Sequence, residues 1–267
     1  MLQRIGFRPC PPGIHFAGRF AQSQSYGTMG TRYFEDGHMD IQRIVAGETN
    51  CYLLRGDGGT VLIDPGPPGG AETVIAGVTQ AGIQPEELRL ILVTHGHLDH
   101  YGAVDKIKAW CGAPVAAYTG EVVFSQDRRN ALPPAQTLRG SLLRWFYLLF
   151  SPRGQGLPLK VDLELEDGAD LSTYGVDART VWVPGHSPGS LSVITAQNDA
   201  FVGDLFVNYA VPSQPIYLTD RDAWEQSCER IRALNPRMVY VGHGDPFSGE
   251  KLDTIYPARY QLRWWVR

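Results

Sequence analysis

The chain has 267 residues, 43% hydrophobic and 19% charged, enough to bury a sizeable core in one large or two small domains and too apolar for general disorder. Its net charge of −4, from 24 basic and 28 acidic residues with no basic block interleaved with aromatics, offers nucleic acid no electrostatic footprint. Cys10, Cys51, Cys111 and Cys228 are widely spaced and form no Cys-x-x-Cys pair, which argues against a zinc knuckle and against a disulfide framework.

Residues 1 to about 38 are rich in Gly, Pro, Gln and Ser, without sustained periodicity, and are expected to form a peripheral N-terminal arm. The arm's isolated His15 and His38 read as plain surface groups. Its opening run, MLQRIGFRPCPPGIHFAG, is broken by charge, Pro and Gly and lacks the continuous apolar core of a secretory signal, so the expectation is a cytoplasmic location. Residues 39–267 are then expected to make a single domain.

From Met39 onward short β-type runs recur, bounded by Gly, Pro or Asp: NCYLLR (50–55), TVLID (60–64), LRLILVT (88–94), RTVWVP (179–184), LSVIT (191–195), AFVGD (200–204) and MVYVGH (238–243). Helical patterns fall at about 71–82, 101–111 and 221–234. The last has Asp220 or Asp222 as N-cap and Asn235-Pro236 as stop, and it carries a core-facing stripe of Trp224, Cys228, Ile231 and Leu234. The whole reads as layered α and β. An insertion at about 121–161 contains LLRWFYLLF (142–150), which is interrupted by Arg144 and falls well short of the roughly 20 residues of a spanning helix. No transmembrane segment is expected. Trp145 and Phe146 in this stretch are candidates for an apolar substrate pocket, and an interface or core helix fits the pattern equally well.

Five apolar runs each end in a polar residue suited to binding a metal or orienting a ligand: Asp64, His95, His186, Asp204 and His243. Loops at strand C-termini hold such groups on a rigid frame while leaving them accessible. Taken singly, His186 or His243 would be an ordinary polar residue. The cluster HGHLDH (95–100) is different, because His95, His97, Asp99 and His100 exceed the roughly three protein ligands of one open catalytic zinc site. With His186, Asp204 and His243 the candidate set suffices for two metals, with one carboxylate bridging.

On LIDPG (62–66), THGHLDH (94–100), VPGHSPGS (183–190), FVGD (201–204) and VYVGHG (239–244), in that order, the sequence resembles the metallo-β-lactamase superfamily of metallohydrolases. The resemblance implies the αββα sandwich, two face-to-face sheets with helices outside. It implies His95, His97 and His186 on one metal, Asp99, His100 and His243 on the other, Asp204 bridging, and Asp64 supporting the ligand loop from behind. The implied metals are two divalent ions, zinc first, with iron or manganese as alternatives.

The implied reaction is attack of a hydroxide on an ester, lactone or thioester carbonyl of a small molecule, with Asp99 orienting the nucleophile, and the apolar insertion adds an acyl group to the candidate substrate features. Lactonases of the superfamily place a Tyr three residues after the bridging Asp; here that position is Val207, and the nearest phenol, Tyr209, becomes a candidate substrate contact. About 24 residues follow His243, too few for the basic helical region of the glyoxalase II thioesterases. That thioesterase chemistry stays open as an alternative. So does a mononuclear iron persulfide dioxygenase, which would use His95, His186 and Asp204. A homo-oligomer is compatible with the composition.

Overall fold

The computed structural model describes residues 39–121 and 159–255. The N-terminal arm, the 142–150 stretch with Trp145 and Phe146, and residues 256–267 lie outside the described residues.

β-Branched and apolar runs punctuated by Gly turns make two sheets. The first has the order β1 (Asp40–Ala46), β2 (Thr49–Gly56), β3 (Gly59–Ile63), β4 (Leu88–Leu92), β5 (Val115–Tyr118) and β6 (Leu163–Leu165). Its β1 to β3 form an antiparallel meander, and β3 to β6 are parallel. The second sheet runs β11 (Phe247–Ser248), β10 (Met238–Tyr240), β9 (Asp199–Phe201), β8 (Leu191–Thr195) and β7 (Ala178–Trp182), with β9 and β10 parallel and the other neighbours antiparallel.

Side-chain alternation along these strands sorts the core into three layers of contact. On β2, Cys51 and Leu53 face helices α1 (Ala71–Gln80) and α3 (Val104–Cys111), while Tyr52 and Leu54 face the second sheet. On β4, Ile91 goes outward and Leu90 and Leu92 go between the sheets, where they join Leu191, Val193 and Phe201. On the far side Ile194 and Ala200 pack under α4 (Arg221–Ala233) together with Trp224, Cys228 and Ile231. Strands buried on both faces explain why the runs are continuously apolar instead of alternating. Each fully buried Leu, Ile, Val or Phe contributes about 1.5–3 kcal/mol. The layering is helix, sheet, sheet, helix, as the αββα expectation requires.

Several expected elements differ in extent. The β-type run 88–94 yields a strand only to Leu92, because the chain must turn there to present its polar tail. The helix expected at 101–111 begins earlier, as α2 (Leu98–Tyr101), and breaks at Gly102-Ala103 before α3. A Cβ on Gly102 would run into Pro68 and the Leu98 carbonyl. The helix expected at 221–234 is α4, and Asp220 is its N-cap, accepting the Ala223 N–H at 3.0 Å. Strands β1, β5, β6 and β11 lack a clear sequence signal; they are short or only half-buried.

Candidate metal centre

The site lies where strands of both sheets end. Asp64 follows β3, His95 follows β4, His186 follows β7, Asp204 follows β9 and His243 follows β10, each within one to four residues of the strand. His97 is the extended N-cap residue of α2, and Asp99 and His100 occupy its single turn, so one short segment delivers four side chains. Asp204 sits in a 3-10 turn, Gly203–Leu205.

Two groups of nitrogens and oxygens converge there. His186 Nε2 lies 2.9 Å from His97 Nδ1 and 3.3 Å from His95 Nε2. His243 Nε2 lies 3.2 Å from both His100 Nε2 and Asp99 Oδ2, and Asp99 Oδ2 is 3.7 Å from His100 Nε2. Within each group the candidate ligand atoms are all within 4.8 Å of one another. Asp204 stands between the groups: its Oδ2 is 3.5 Å from His186, 4.0 Å from His95 and 3.4 Å from His243, and its Oδ1 is 3.4 Å from His100.

The outer ring nitrogens decide which atoms face inward with lone pairs. His186 Nδ1 lies 3.0 Å from the Tyr217 carbonyl and His243 Nδ1 2.8 Å from the Glu48 carbonyl. A carbonyl only accepts, so both rings carry a proton on Nδ1 and turn Nε2 into the site as the atom able to ligate. His100 Nδ1 donates to Asp64 Oδ2 at 2.8 Å. The Thr94 hydroxyl donates to the same Oδ2 at 2.7 Å, which leaves its oxygen to accept from His95 Nδ1 at 3.0 Å. Lone pairs facing each other near 3 Å repel unless a cation lies between them. Five imidazoles and two carboxylates make a donor set suited to zinc or iron. Asp204 Oδ1 is buried without a hydrogen-bond partner, and a Cβ on Gly242 would intrude on that oxygen and on His100 Cε1, 2.6 Å away. The residues therefore fit divalent metal.

Electrostatics divide the site. Burial, reinforced by the neighbouring imidazoles, pushes His95 well below the usual histidine range and His97 down to about 3. Burial also opposes the charge on His100 and His243, but the Asp204 and Asp99 carboxylates outweigh it and raise these rings to about 9 and about 12. Asp204 itself is held well below the carboxylate range, burial being outweighed by His243 and His100. The Asp204 and Asp99 carboxylates thus draw protons onto His100 and His243, positive charge that a divalent cation would supply in their place.

Asp64, at 1% exposure, takes a left-handed backbone with φ of 54° and accepts the Thr94 N–H at 2.7 Å as well as the Thr94 and His100 protons. Tyr209 is 61% exposed at the mouth, its ring stacked 6.1 Å from His243, whereas Val207 is buried. Trp145 and Phe146 lie outside the described residues.

Sequence reasoning missed two supports. Asn50 donates through Nδ2 to the Val241 carbonyl at 2.8 Å and the Gly244 carbonyl at 2.6 Å, while its backbone N–H bonds Gly242, so β2 grips the loop of His243. A polar residue inside an otherwise apolar strand was the available signal. The other is Glu121, fully buried at the end of the segment after β5. Burial pushes its carboxyl up, against hydrogen bonds from Gly96, Ser187 and Gly189. No motif marks it.

The sequence profile of the Metallo-beta-lactamase superfamily matches residues 44–243, most of the chain and every candidate ligand. The chain belongs to this superfamily. Its members are mostly metal-dependent hydrolases, and several relatives of this metallo-beta-lactamase-fold chain carry such names. It is 27% identical over 207 residues to "Probable metallo-hydrolase YflN" of Bacillus subtilis, covering 71% of this chain and 77% of the relative. It is 26% identical over 217 residues to "Hydroxyacylglutathione hydrolase GloC" of Haemophilus influenzae, covering 78% and 91%. Among solved structures it is similar to TTHA1623 "in a di-iron-bound form", with TM-score 0.56, 27% identity and coverage of 79% and 95%. Among the described residues no helix is long and apolar enough to cross a membrane.

Proposed function

We propose that the chain is a binuclear metal-dependent hydrolase acting on an ester, lactone or thioester carbonyl of a small molecule. In this reading His95, His97 and His186 hold one divalent metal, Asp99, His100 and His243 hold the other, and Asp204 touches both. The observation that carries it is the inward convergence of the imidazole nitrogens around Asp204, which is 3.4 Å from His100 and His243 and 3.5 Å from His186. Zinc is the expected metal, and the di-iron form of TTHA1623 keeps iron as an alternative.

When bound, two such cations polarise a carbonyl oxygen and lower the pKa of a water enough to make it a nucleophile at neutral pH. The chain's own residues do the rest. Asp99 is half-exposed at the mouth and is held below the usual carboxylate range: burial would raise it, but His100 and His243 outweigh that. Ionised at neutral pH, it is placed to orient the nucleophile as a hydrogen-bond acceptor. Asp64 and the Tyr217 and Glu48 carbonyls fix the ring tautomers. Tyr209 offers an aromatic face and a phenol to whatever enters.

Likeness to a hydroxyacylglutathione hydrolase supports the thioester among the three carbonyl classes. Metal analysis of protein purified without added metal, followed by an ester, lactone and thioester panel, tests the proposal. About two zinc-like ions per chain and carbonyl hydrolysis that disappears in His97→Ala and Asp204→Ala, with circular dichroism unchanged, are expected. Full activity in either variant refutes it. One iron per chain with oxygen uptake on a persulfide would instead favour the dioxygenase built on His95, His186 and Asp204.

A further inference from the structure

The loops that carry the first candidate triad come from different sheets. His95 and His97 follow β4, His186 follows β7, and β4 and β7 have no strand partner in common. Their rings nevertheless meet at 2.9 and 3.3 Å. At the rear the sheets are tied by the Leu191 N–H donating to the Thr94 carbonyl at 2.9 Å. Beneath the loops a carboxylate ties them. Glu121 Oε1 accepts the Gly96 N–H at 2.6 Å, and Oε2 accepts the Gly189 N–H at 2.7 Å and the Ser187 hydroxyl at 2.8 Å. Gly96 separates His95 from His97, and Ser187 directly follows His186.

We propose that Glu121 is a positioning residue that fixes the distance of His186 from His95 and His97 and so sets the affinity of the first metal. This rests on the binuclear reading above. A carboxylate suits the place because two of its three donors are backbone N–H groups that cannot rotate away. The amide of glutamine has one acceptor oxygen, so it must turn its NH2 toward Gly96 or toward Gly189, and a donor facing a buried donor forces one loop to retreat. Gly189 leaves the room this contact needs, since a Cβ there would fall 2.7 Å from Glu121 Oε2. Mutating supports of this kind typically costs about 10–100-fold in metal affinity.

The test is stepwise zinc titration of the metal-stripped full chain against a chromophoric chelator, for wild type, Glu121→Gln and Ser187→Ala. Each is made alone and in two backgrounds, His100→Ala, which leaves only the first triad, and His186→Ala, which damages it. Glu121→Gln should lower zinc affinity by about 10–100-fold in the His100→Ala background and leave it unchanged in the His186→Ala background. Ser187→Ala, which keeps the charge and removes one donor, should cause a smaller loss with the same dependence on background. A purely structural role would lower the melting temperature of the metal-free chain and weaken both zinc steps together, which overturns the proposal, as does unchanged affinity in folded Glu121→Gln. Should Glu121→Gln fail to fold, Ser187→Ala decides: no loss confined to the first step overturns the proposal. Wild type that takes up no second zinc refutes the binuclear reading itself, a result distinct from a two-zinc wild type indifferent to Glu121.

Discussion

Asp64→Asn isolates what one buried carboxylate does for the second candidate triad. Asp64 accepts three hydrogen bonds, from the Thr94 N–H at 2.7 Å, the Thr94 hydroxyl at 2.7 Å and His100 Nδ1 at 2.8 Å. Asparagine has the same shape but one acceptor. If its NH2 takes the Oδ1 place, it faces the Thr94 N–H, donor against donor. If it takes the Oδ2 place, the threonine hydroxyl can rotate to accept, but His100 Nδ1 must also become an acceptor. The His100 proton then moves to Nε2, the atom 3.2 Å from His243 Nε2 and 3.4 Å from Asp204 Oδ1, and the ring can no longer ligate through it. Hydrogen bonds to a charged group are each worth about 1.5–3 kcal/mol, against about 1 for a neutral one, so losing one and weakening two costs about 3–5 kcal/mol. At 2–4 °C per kcal/mol the metal-free chain should melt on the order of 10 °C lower. Zinc affinity should fall by about 10–100-fold at the His100 and His243 step while the first step holds. Chelator competition and calorimetry supply both numbers, and long-range 15N–1H correlation of the ring nitrogens reads the tautomer directly. A variant that melts with wild type and keeps both affinities would refute the reasoning.

Gly242→Ala would place a methyl 2.6 Å from His100 Cε1 and against Asp204, and should cut metal content and hydrolysis together at an overpacking cost of about 1–3 kcal/mol; normal metal stoichiometry would contradict this. Tyr209→Ala, at a 61% exposed rim position, should change KM across a substrate panel while metal content and melting temperature stay put. Its indifference on every substrate would remove Tyr209 as a contact. Asp162 joins α3 to β5 through Lys108 at 2.5 Å and the Val115 N–H at 2.7 Å, and these bonds hold its carboxyl below the usual range. A depressed folded pKa gives stability that is present above the unfolded value near 3.9 and is lost as pH falls toward the folded one. Asp162→Asn should therefore flatten the decline in melting temperature below about pH 4 relative to wild type, as followed by thermal melts across the acid range.

The layered fold was legible because the strands that build the middle of the sandwich are buried on both faces, which leaves continuous runs such as CYLL in β2 and LIL in β4. The half-buried β1 and the short β5, β6 and β11 carry no such run, and they take their place from pairing with neighbouring strands. The candidate ligands were legible for a related reason. Each polar residue interrupts an apolar run just where its strand ends, so the contrast appears in the sequence. Glu121 has no such contrast. It stands at the edge of what reads as an insertion, and its role depends on Gly96 and Ser187, 25 and 66 residues away. Glu48 contributes only a carbonyl to His243, and main-chain acceptors leave no trace in residue type.

The two buried carboxylates divide the work in a way the ligand motif conceals. Asp64 sits behind the second triad and acts on protonation, because its contact is with a ring nitrogen and determines which lone pair His100 offers. Glu121 sits beneath the first triad and acts on distance, because its contacts are the Gly96 and Gly189 N–H groups and the Ser187 hydroxyl, in the segments that carry His95, His97 and His186, and no ring at all. Disturbing Asp64 should thus alter the pH dependence of metal uptake, since its charge helps raise His100 and a proton must leave that ring before it binds. Disturbing Glu121 should weaken uptake by a factor independent of pH over the neutral range. Titrations of Asp64→Asn and Glu121→Gln at several pH values, carried out alike, separate the two modes, and parallel pH profiles would show that both carboxylates merely brace the fold.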